Sequence, residues 1–331
     1  MKPSELSAFL STTLNAQLPI LIKGAPGIGK TDIVKQACTA SNNNLIISHP
    51  VVSDPTDFKG FPYVINGEAH FLPFGELNQL IQADVPTVFF LDDLGQAPAA
   101  VQAAAMQLIL GRHINGHRVS DNVTFLAATN RKTDRAGVSG ILEPVKSRFA
   151  SIVELEPNVN DWVKWAIKSR LPPELIAFIR FRPNLLHDFK PSTDLDNSPS
   201  PRTVHNVAKL MQACLPQELQ YEAFTGAAGE GFAIELVSFL RIFQNLPDPD
   251  SILVDPDRAD VPEDPATLFA LSGALAKKAD KTTMGSIVRY ASRLPVEFSV
   301  LLVTDSVSHN PDVMETQAFI EWSSAHSNIL V

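Results

Sequence analysis

The segment Gly24–Thr31 reads G-A-P-G-I-G-K-T and fits the pattern G-x-x-x-x-G-K-[ST]. Its glycines let backbone N–H groups turn inward around an anion, and the helix that follows presents its positive end to the same place. Lys30 can then reach the β- and γ-phosphates of a nucleoside triphosphate, and the Thr31 hydroxyl can ligate Mg²⁺. The sequence therefore predicts a phosphate-binding loop that consists of Gly24, Ala25, Pro26, Gly27, Ile28, Gly29, Lys30, Thr31 and Asp32.

A second pair of candidate functional residues follows the apolar run Val88–Leu91, because two carboxylates come directly after it. A carboxylate at the end of a buried strand typically positions the Mg²⁺ of a nucleotide site. We assign that role to Asp92, and we expect Asp93 to orient or deprotonate the attacking water. The competing interpretation is a buried strand followed by an acidic turn.

A third apolar run, Val123–Thr129, ends in Asn130. An asparagine there can hydrogen-bond the attacking water or the γ-phosphate, although asparagine also ends many ordinary strands. The segment Asn130–Asp134 is similar to the guanine-reading pattern N-K-x-D. It does not fit that pattern, because Arg131 stands between the asparagine and the lysine.

Two arginines are candidates for phosphate contacts. Arg148 comes just before the last predicted strand, and it is a candidate arginine finger, which neutralises charge on the phosphoryl group. Arg202 lies in the first turn of a predicted helix, from which it can reach phosphate. Each is otherwise an ordinary charged residue, Arg148 at the surface and Arg202 in a first helical turn.

Alternating strands and helices must position these residues. Residues 1–155 alternate short apolar runs with helical patterns, which is typical of a parallel sheet with crossover helices. The runs are continuous, as expected for strands buried on both faces. The predicted strands are Leu18–Lys23, Leu45–Ser48, Thr87–Asp92, Thr124–Thr129 and Ser151–Leu155.

The strand pattern stops after Pro157, and the rest of the chain is mainly helical. We therefore predict an α/β fold of the P-loop NTPase type, with flanking helices and a C-terminal α-helical lid domain. The predicted boundaries are a nucleotide-binding domain over 1–156, a helical lid over 157–245 and a helical extension of unassigned role over 246–331.

Composition narrows the function class. The chain has 331 residues, 45% hydrophobic and 19% charged, with a formal net charge of −9. The negative charge disfavours nucleic acid as the main partner. No apolar stretch reaches the roughly 18 residues of a membrane span, and the start lacks a secretory signal, so we expect a cytoplasmic protein. The two cysteines, Cys38 and Cys214, imply no disulfide framework, and we expect both to be buried.

The order of these elements resembles that of the AAA+ ATPases, namely phosphate loop, Asp-Asp strand, strand-ending Asn130, Arg148 and Arg202. More narrowly, the chain resembles the MoxR family, a group with an insert in the second helix. The resemblance covers about residues 5–240 and is most specific in the first half. The segments that carry it are Ser53–Pro62, Val64–Pro73, Gly111–Arg118, Ser147–Phe149 and Pro201–Thr203.

The resemblance implies a hexameric ring that binds ATP and Mg²⁺ between neighbouring subunits and hydrolyses the ATP. Arg148 would then act on the neighbour's ATP, and Arg202 would sense nucleotide from the lid, in its own subunit or in another. It also implies a chaperone-like role, the remodelling or activation of a partner protein that often carries a von Willebrand factor A domain. Adenine specificity rests on the resemblance alone.

Two Asn-Gly pairs, Asn66-Gly67 and Asn115-Gly116, predict hairpin turns in the segments that resemble the family. In a ring, both hairpins can project toward the pore or toward one face. Aromatic residues near the first hairpin then either contact a client or pack the insert against its own domain. These residues are Phe61, Tyr63, His70, Phe71 and Phe74, and basic and histidine side chains decorate the second hairpin at Arg112, His113, His117 and Arg118.

One position departs from the family, because Asp93 stands where the family usually has glutamate. Aspartate is one methylene shorter, so its carboxylate can fall roughly an ångström short of the water. The sequence therefore leaves open a nucleotide switch that binds ATP but barely hydrolyses it. It also leaves open a nucleic-acid motor or loader and the motor subunit of a metal chelatase, which share this architecture.

Overall fold

The computed structural model describes residues 1–134, 140–191 and 195–326. The chain divides into two compact units. The first is Met1–Asn158 together with a short stretch near residue 190, and the second holds the rest of the chain from Val159 onward.

The first unit is built on a parallel sheet. Its described strands are β1 (Ile20–Lys23), β2 (Asn44–Ser48), β5 (Thr87–Leu91), β8 (Val123–Thr129) and β9 (Ser151–Glu154). These five strands lie in the order β2-β5-β8-β1-β9, and every neighbouring pair is parallel. This sheet and the helical region that follows it confirm the predicted fold class.

Both faces of the sheet are covered, because apolar side chains alternate between two hydrophobic clusters. Phe89 and Phe125 belong to one cluster, and Phe90 and Leu126 belong to the other. This double burial explains why β5 and β8 are mostly apolar and are buried along their whole length. The covering helices are α1 (Pro3–Asn15), α2 (Lys30–Ala40), α3 (Pro55–Lys59), α4 (Gly75–Ile81), α5 (Ala99–Gly111) and α6 (Glu143–Lys146).

Two antiparallel hairpins project from this framework and confirm the predicted Asn-Gly turns. The first pairs β3 (Phe61–Ile65) with β4 (Glu68–Leu72), between α3 and α4. The second pairs β6 (His113–Ile114) with β7 (His117–Arg118), after α5. Asparagine and glycine both have positive φ in each turn, as a type I′ turn requires.

The second unit is helical throughout the part that the structure describes. Asp and Ser caps start several of its helices. Ser200 accepts from the N–H of Thr203, and Asp264 accepts from the N–H of Thr267. Its helices are α7 (Val159–Lys168), α8 (Pro173–Phe181), α9 (Pro201–Gln212), α10 (Gln217–Ala228), α11 (Glu230–Gln244), α12 (Pro249–Val254), α13 (Pro265–Lys277), α14 (Met284–Ala291), α15 (Val296–His309) and α16 (Gln317–Ala325).

Helix α13 connects two hydrophobic clusters within this unit. Ala266 and Ala270 pack into the cluster formed by α7 to α11, whereas Leu271 and Leu275 pack into the cluster of α14 to α16. A buried ion pair between Arg180 and Asp305 ties α8 to α15. No described helix is long and apolar enough to cross a lipid bilayer.

The two cysteines differ in environment, so the prediction that both are buried is wrong for one of them. Cys38 lies inside the first unit, and its burial raises the pKa of its thiol to about 11. Cys214 is exposed, because α9 has already ended at Gln212 and Cys214 stands in the connection to α10 with a φ of 54°.

We expect one thiol per folded chain to react rapidly with a disulfide reagent at pH 8, and two after unfolding in urea. The thiolate is the reacting species. Burial keeps the reagent away from Cys38 and also keeps its thiol protonated. Spectrophotometric thiol titration measures this. The Cys214→Ser variant serves as the control, because it should lose the rapid phase. Two rapid thiols in the folded protein would contradict the assignment.

Candidate nucleotide-binding site

The loop Gly24–Gly29 leaves the carboxyl end of β1 and leads directly into α2. Helix α2 begins at Lys30, and its cap, Gly29, has a φ of +93°. A side chain is strained in that conformation, so glycine is required there. The N–H of Ile33 already donates to the Gly29 carbonyl at 3.0 Å. Helix geometry points the N–H groups that precede this first intrahelical bond toward the loop, as anion binding requires.

The Lys30 ammonium is held by three oxygen acceptors. It donates to the Gly24 carbonyl at 3.0 Å, to the Ala25 carbonyl at 2.9 Å and to Asn130 Oδ1 at 2.7 Å. Lys30 is only 7% exposed, and a buried ammonium is costly unless it is hydrogen-bonded in this way. The cation therefore has a fixed place beside the loop.

The hydroxyl of Thr31 donates to Asp92 Oδ2 at 2.7 Å. Asp92 follows β5, and its own N–H donates to the Ser48 carbonyl of β2 at 2.9 Å, which fixes the strand end. A hydroxyl and a carboxylate side by side are hard oxygen donors of the kind that Mg²⁺ prefers. The pair fits the metal-binding role predicted for Thr31 and Asp92.

Asn130 connects Lys30 to Asp93 through hydrogen bonds. Its amide oxygen accepts from Lys30, and its Nδ2 donates to Asp93 Oδ1 at 3.2 Å. Asp93 has a φ of 57° and begins a 3₁₀ turn over Leu94–Gln96. The arrangement holds the Asp93 carboxylate one side chain away from the lysine.

Residues 20–157 match the family model described as ATPase family associated with various cellular activities (AAA). The match ends where the first unit ends and contains the whole loop, Asp92, Asp93 and Asn130. This part of the chain is an AAA-family ATPase domain. The family model covers less than half of the chain, so the family assignment applies to this domain alone.

Curated relatives match over the same region. The proteasome-activating nucleotidases of Saccharolobus islandicus and Saccharolobus solfataricus are each 29% identical over 150 residues, which is 41% of this chain and 34% of the relative. The chain thus spans about a third of the length of the curated relatives it matches.

Solved structures also align with the chain. A Thermotoga maritima RuvB variant is 18% identical to this chain, with a TM-score of 0.40. The alignment covers 82% of this chain and 81% of the RuvB chain. Brucella abortus NtrX in complex with ADP is 12% identical to this chain, with a TM-score of 0.36. The alignment covers 99% of this chain and 67% of the NtrX chain.

An ionic group at the same edge of the AAA domain escaped the sequence analysis. Glu154, at the end of β9, lies 2.9 Å from the Lys23 ammonium and 3.5 Å from the Arg131 guanidinium. Lys23, and to a smaller extent Arg131, lower the pKa of Glu154. Asp134, the main partner of Arg131, raises the arginine's pKa. The available signal was a carboxylate at the end of the short strand β9.

Three other predicted site residues lie outside the hydrogen-bonded group of Lys30, Thr31, Asp92, Asp93 and Asn130. Asp32 is in the first turn of α2, where its side chain is 74% exposed and lies 3.9 Å from Lys35. Arg148 follows α6 and donates to Ser147 Oγ at 3.0 Å. Arg202 belongs to the second unit, in the first turn of α9. Phosphate contacts by these three residues stay predictions.

The two hairpins of the AAA domain are hydrogen-bonded to each other. Asn115 Nδ2 donates to the Lys59 carbonyl at 2.8 Å, and His117 Nε2 donates to the Phe71 carbonyl at 2.8 Å. The first hairpin is largely solvent-exposed, and Phe61 is 60% exposed. Its exposed apolar side chains are Phe61, Val64, Ile65, Phe71, Leu72 and, just after β4, Phe74.

We expect Asn130→Ala to lower the free energy of unfolding by about 1–3 kcal/mol, because it removes one acceptor of a buried ammonium and one donor to Asp93. Urea denaturation followed by circular dichroism measures the change. Gln82→Ala, which removes an exposed hydrogen bond to Asn78, is the control and should cost about 0.5 kcal/mol or less. An equal effect of the two substitutions would contradict the role given to Asn130.

Proposed function

We propose that this chain binds ATP with Mg²⁺ and hydrolyses it at the edge of the sheet formed by the ends of β1, β5 and β8. The observation that carries the proposal is the continuous set of hydrogen bonds through Lys30, Asn130 and Asp93, next to the pair of Thr31 and Asp92. A cation, a metal-binding oxygen pair and a carboxylate base are the three components that phosphoryl transfer to water needs. The AAA family match over the same residues supports the assignment.

Each side chain has a distinct role in this proposal. The loop N–H groups and Lys30 bind the phosphates, and Thr31 and Asp92 hold Mg²⁺, which neutralises charge on the phosphate oxygens when it is bound. Asp93 accepts a proton from the attacking water or orients it. Asn130 fixes the Asp93 carboxylate through Nδ2, and it contacts the water or the γ-phosphate as the reaction proceeds.

We further propose that the active form is a homo-oligomeric ring, a hexamer by family resemblance, in which Arg148 acts on a neighbour's ATP. The topology favours action between copies. Ala150, two residues after Arg148, donates to the Pro19 carbonyl at the amino end of β1, whereas the loop leaves the carboxyl end of that strand. Strand β1 separates these ends by about 10 Å. In its own chain, Arg148 therefore lies near the amino end of β1, whereas the phosphate loop lies at the carboxyl end of that strand.

The task that we propose for the ring is chaperone-like remodelling or activation of a partner protein in the cytoplasm. The exposed apolar surface of the first hairpin and its hydrogen bonds to the second support this role, because such a surface suits contact with another protein. The resemblance to the MoxR family suggests a partner with a von Willebrand factor A domain. The name of the matched nucleotidases also concerns a protein assembly, the proteasome.

We expect Asp93→Asn to lower the turnover of ATP by about 100-fold or more, because a general base contributes 10²–10⁴-fold. ATP affinity should stay within about threefold, since Lys30 and the loop are unchanged. Phosphate release and equilibrium binding of a fluorescent ATP analogue measure the two quantities. The exposed Asp84→Asn is the matched control. Wild-type turnover in Asp93→Asn would remove Asp93 from the mechanism.

A mixing experiment tests whether Arg148 acts between subunits. Arg148→Ala and Asp93→Asn should each be inactive alone but bind ATP. In an equimolar mixture, roughly a quarter of the interfaces combine an intact Asp93 with a neighbour's intact Arg148, so about a quarter of wild-type turnover should return. Light scattering with Mg²⁺–ATP should show the assembled ring. A mixture as inactive as its components would contradict action in trans.

A further inference from the structure

Gly95 lies in the 3₁₀ turn that follows β5, and it packs against Thr129 of β8. Its backbone conformation is one that other residues adopt, but the space for a side chain is missing. A Cβ at this position would lie 2.2 Å from Thr129 Oγ1 and 3.3 Å from Thr129 Cβ. Real Cβ atoms do not approach so closely, and a β-branched threonine in a strand has few other rotamers. Gly95 is therefore explained by close packing of the turn on β8.

The turn is also restrained by the segment that leads into α6. The same Cβ would lie 3.3 Å from Ile141 Cγ1, and the N–H of Gly140 donates to the Gly95 carbonyl at 3.3 Å. Gln102 holds that segment in turn, because its Nε2 donates to the Gly140 carbonyl at 2.9 Å. A side chain at position 95 would therefore have to push the turn away from β8 or distort several hydrogen bonds.

This contact lies beside the two groups that meet in the candidate site. Gly95 is two residues after Asp93, and Thr129 directly precedes Asn130. The separation between the turn and β8 therefore sets the 3.2 Å distance from Asn130 Nδ2 to Asp93 Oδ1. A hydrogen bond weakens beyond that length, and the short aspartate side chain has little reach to compensate.

We infer that Gly95 is a positioning residue for ATP hydrolysis. Its missing side chain lets the turn after β5 pack on Thr129, and this packing brings the short Asp93 carboxylate to Asn130. The inference rests on the proposed function, since it assigns a role relative to the proposed base.

The test is a double-mutant cycle with Gly95→Ala, Thr129→Ala and the double variant. Gly95→Ala should lower kcat by about 10- to 100-fold, the effect of displacing a catalytic group by about an ångström. ATP affinity should stay within about threefold, because the loop and Lys30 are not displaced. The double variant should recover most of the lost kcat, since Thr129→Ala removes the atom in closest contact. Gly111→Ala is the matched control, because a Cβ there meets nothing within 4 Å.

Each outcome has a separate meaning. Unchanged kcat in Gly95→Ala, or a double variant no more active than Gly95→Ala, contradicts the positioning role. Loss of ATP binding together with turnover also contradicts it, because that result indicates general disruption. If Gly95→Ala alone does not fold, the double variant decides, since it must approach wild-type kcat. Wild-type protein that binds ATP without turnover contradicts the proposed function itself.

Discussion

The buried ammonium of Lys30 is the constraint on which the candidate site depends. A cation that is only 7% exposed needs acceptors on every side, and the chain supplies two loop carbonyls and the Asn130 amide oxygen. The loop follows β1 and Asn130 follows β8, so these strands must be neighbours in the sheet. The amide that accepts from Lys30 also donates to Asp93, which brings in β5. One hydrogen-bonded asparagine thus links the cation to the carboxylate across three strand ends.

The apolar faces of the sheet make this polar edge possible. Phe89, Phe90, Phe125 and Leu126 alternate between two hydrophobic clusters and hold β5 and β8 in register, with Leu91 opposite Ala127. The strand ends are thereby fixed relative to each other. Such preorganisation matters because polar groups that are already oriented stabilise developing charge without further reorganisation.

In its described residues, the second unit consists of helices without a sheet to organise them. Its helix α13 places side chains in two hydrophobic clusters, and the Arg180–Asp305 pair links α8 to α15. Such a pair is weak evidence of added stability, because the cost of removing two charges from water offsets their attraction. The region after residue 245 is thereby part of the same compact unit as the helices before it.

Local patterns in the sequence determined much of the first unit. The G-x-x-x-x-G-K-T segment, the apolar runs and the two Asn-Gly pairs each depend on neighbouring residues, so strands, loop and hairpins were predictable within one or two residues. Burial was less predictable, as Cys214 shows, because exposure depends on where a helix ends. Contacts between distant residues were decided only by the tertiary structure. Glu154 meets Lys23 and Arg131, and Gly95 meets Thr129, because the sheet brings together residues that are far apart in the chain, and no local pattern encodes those distances.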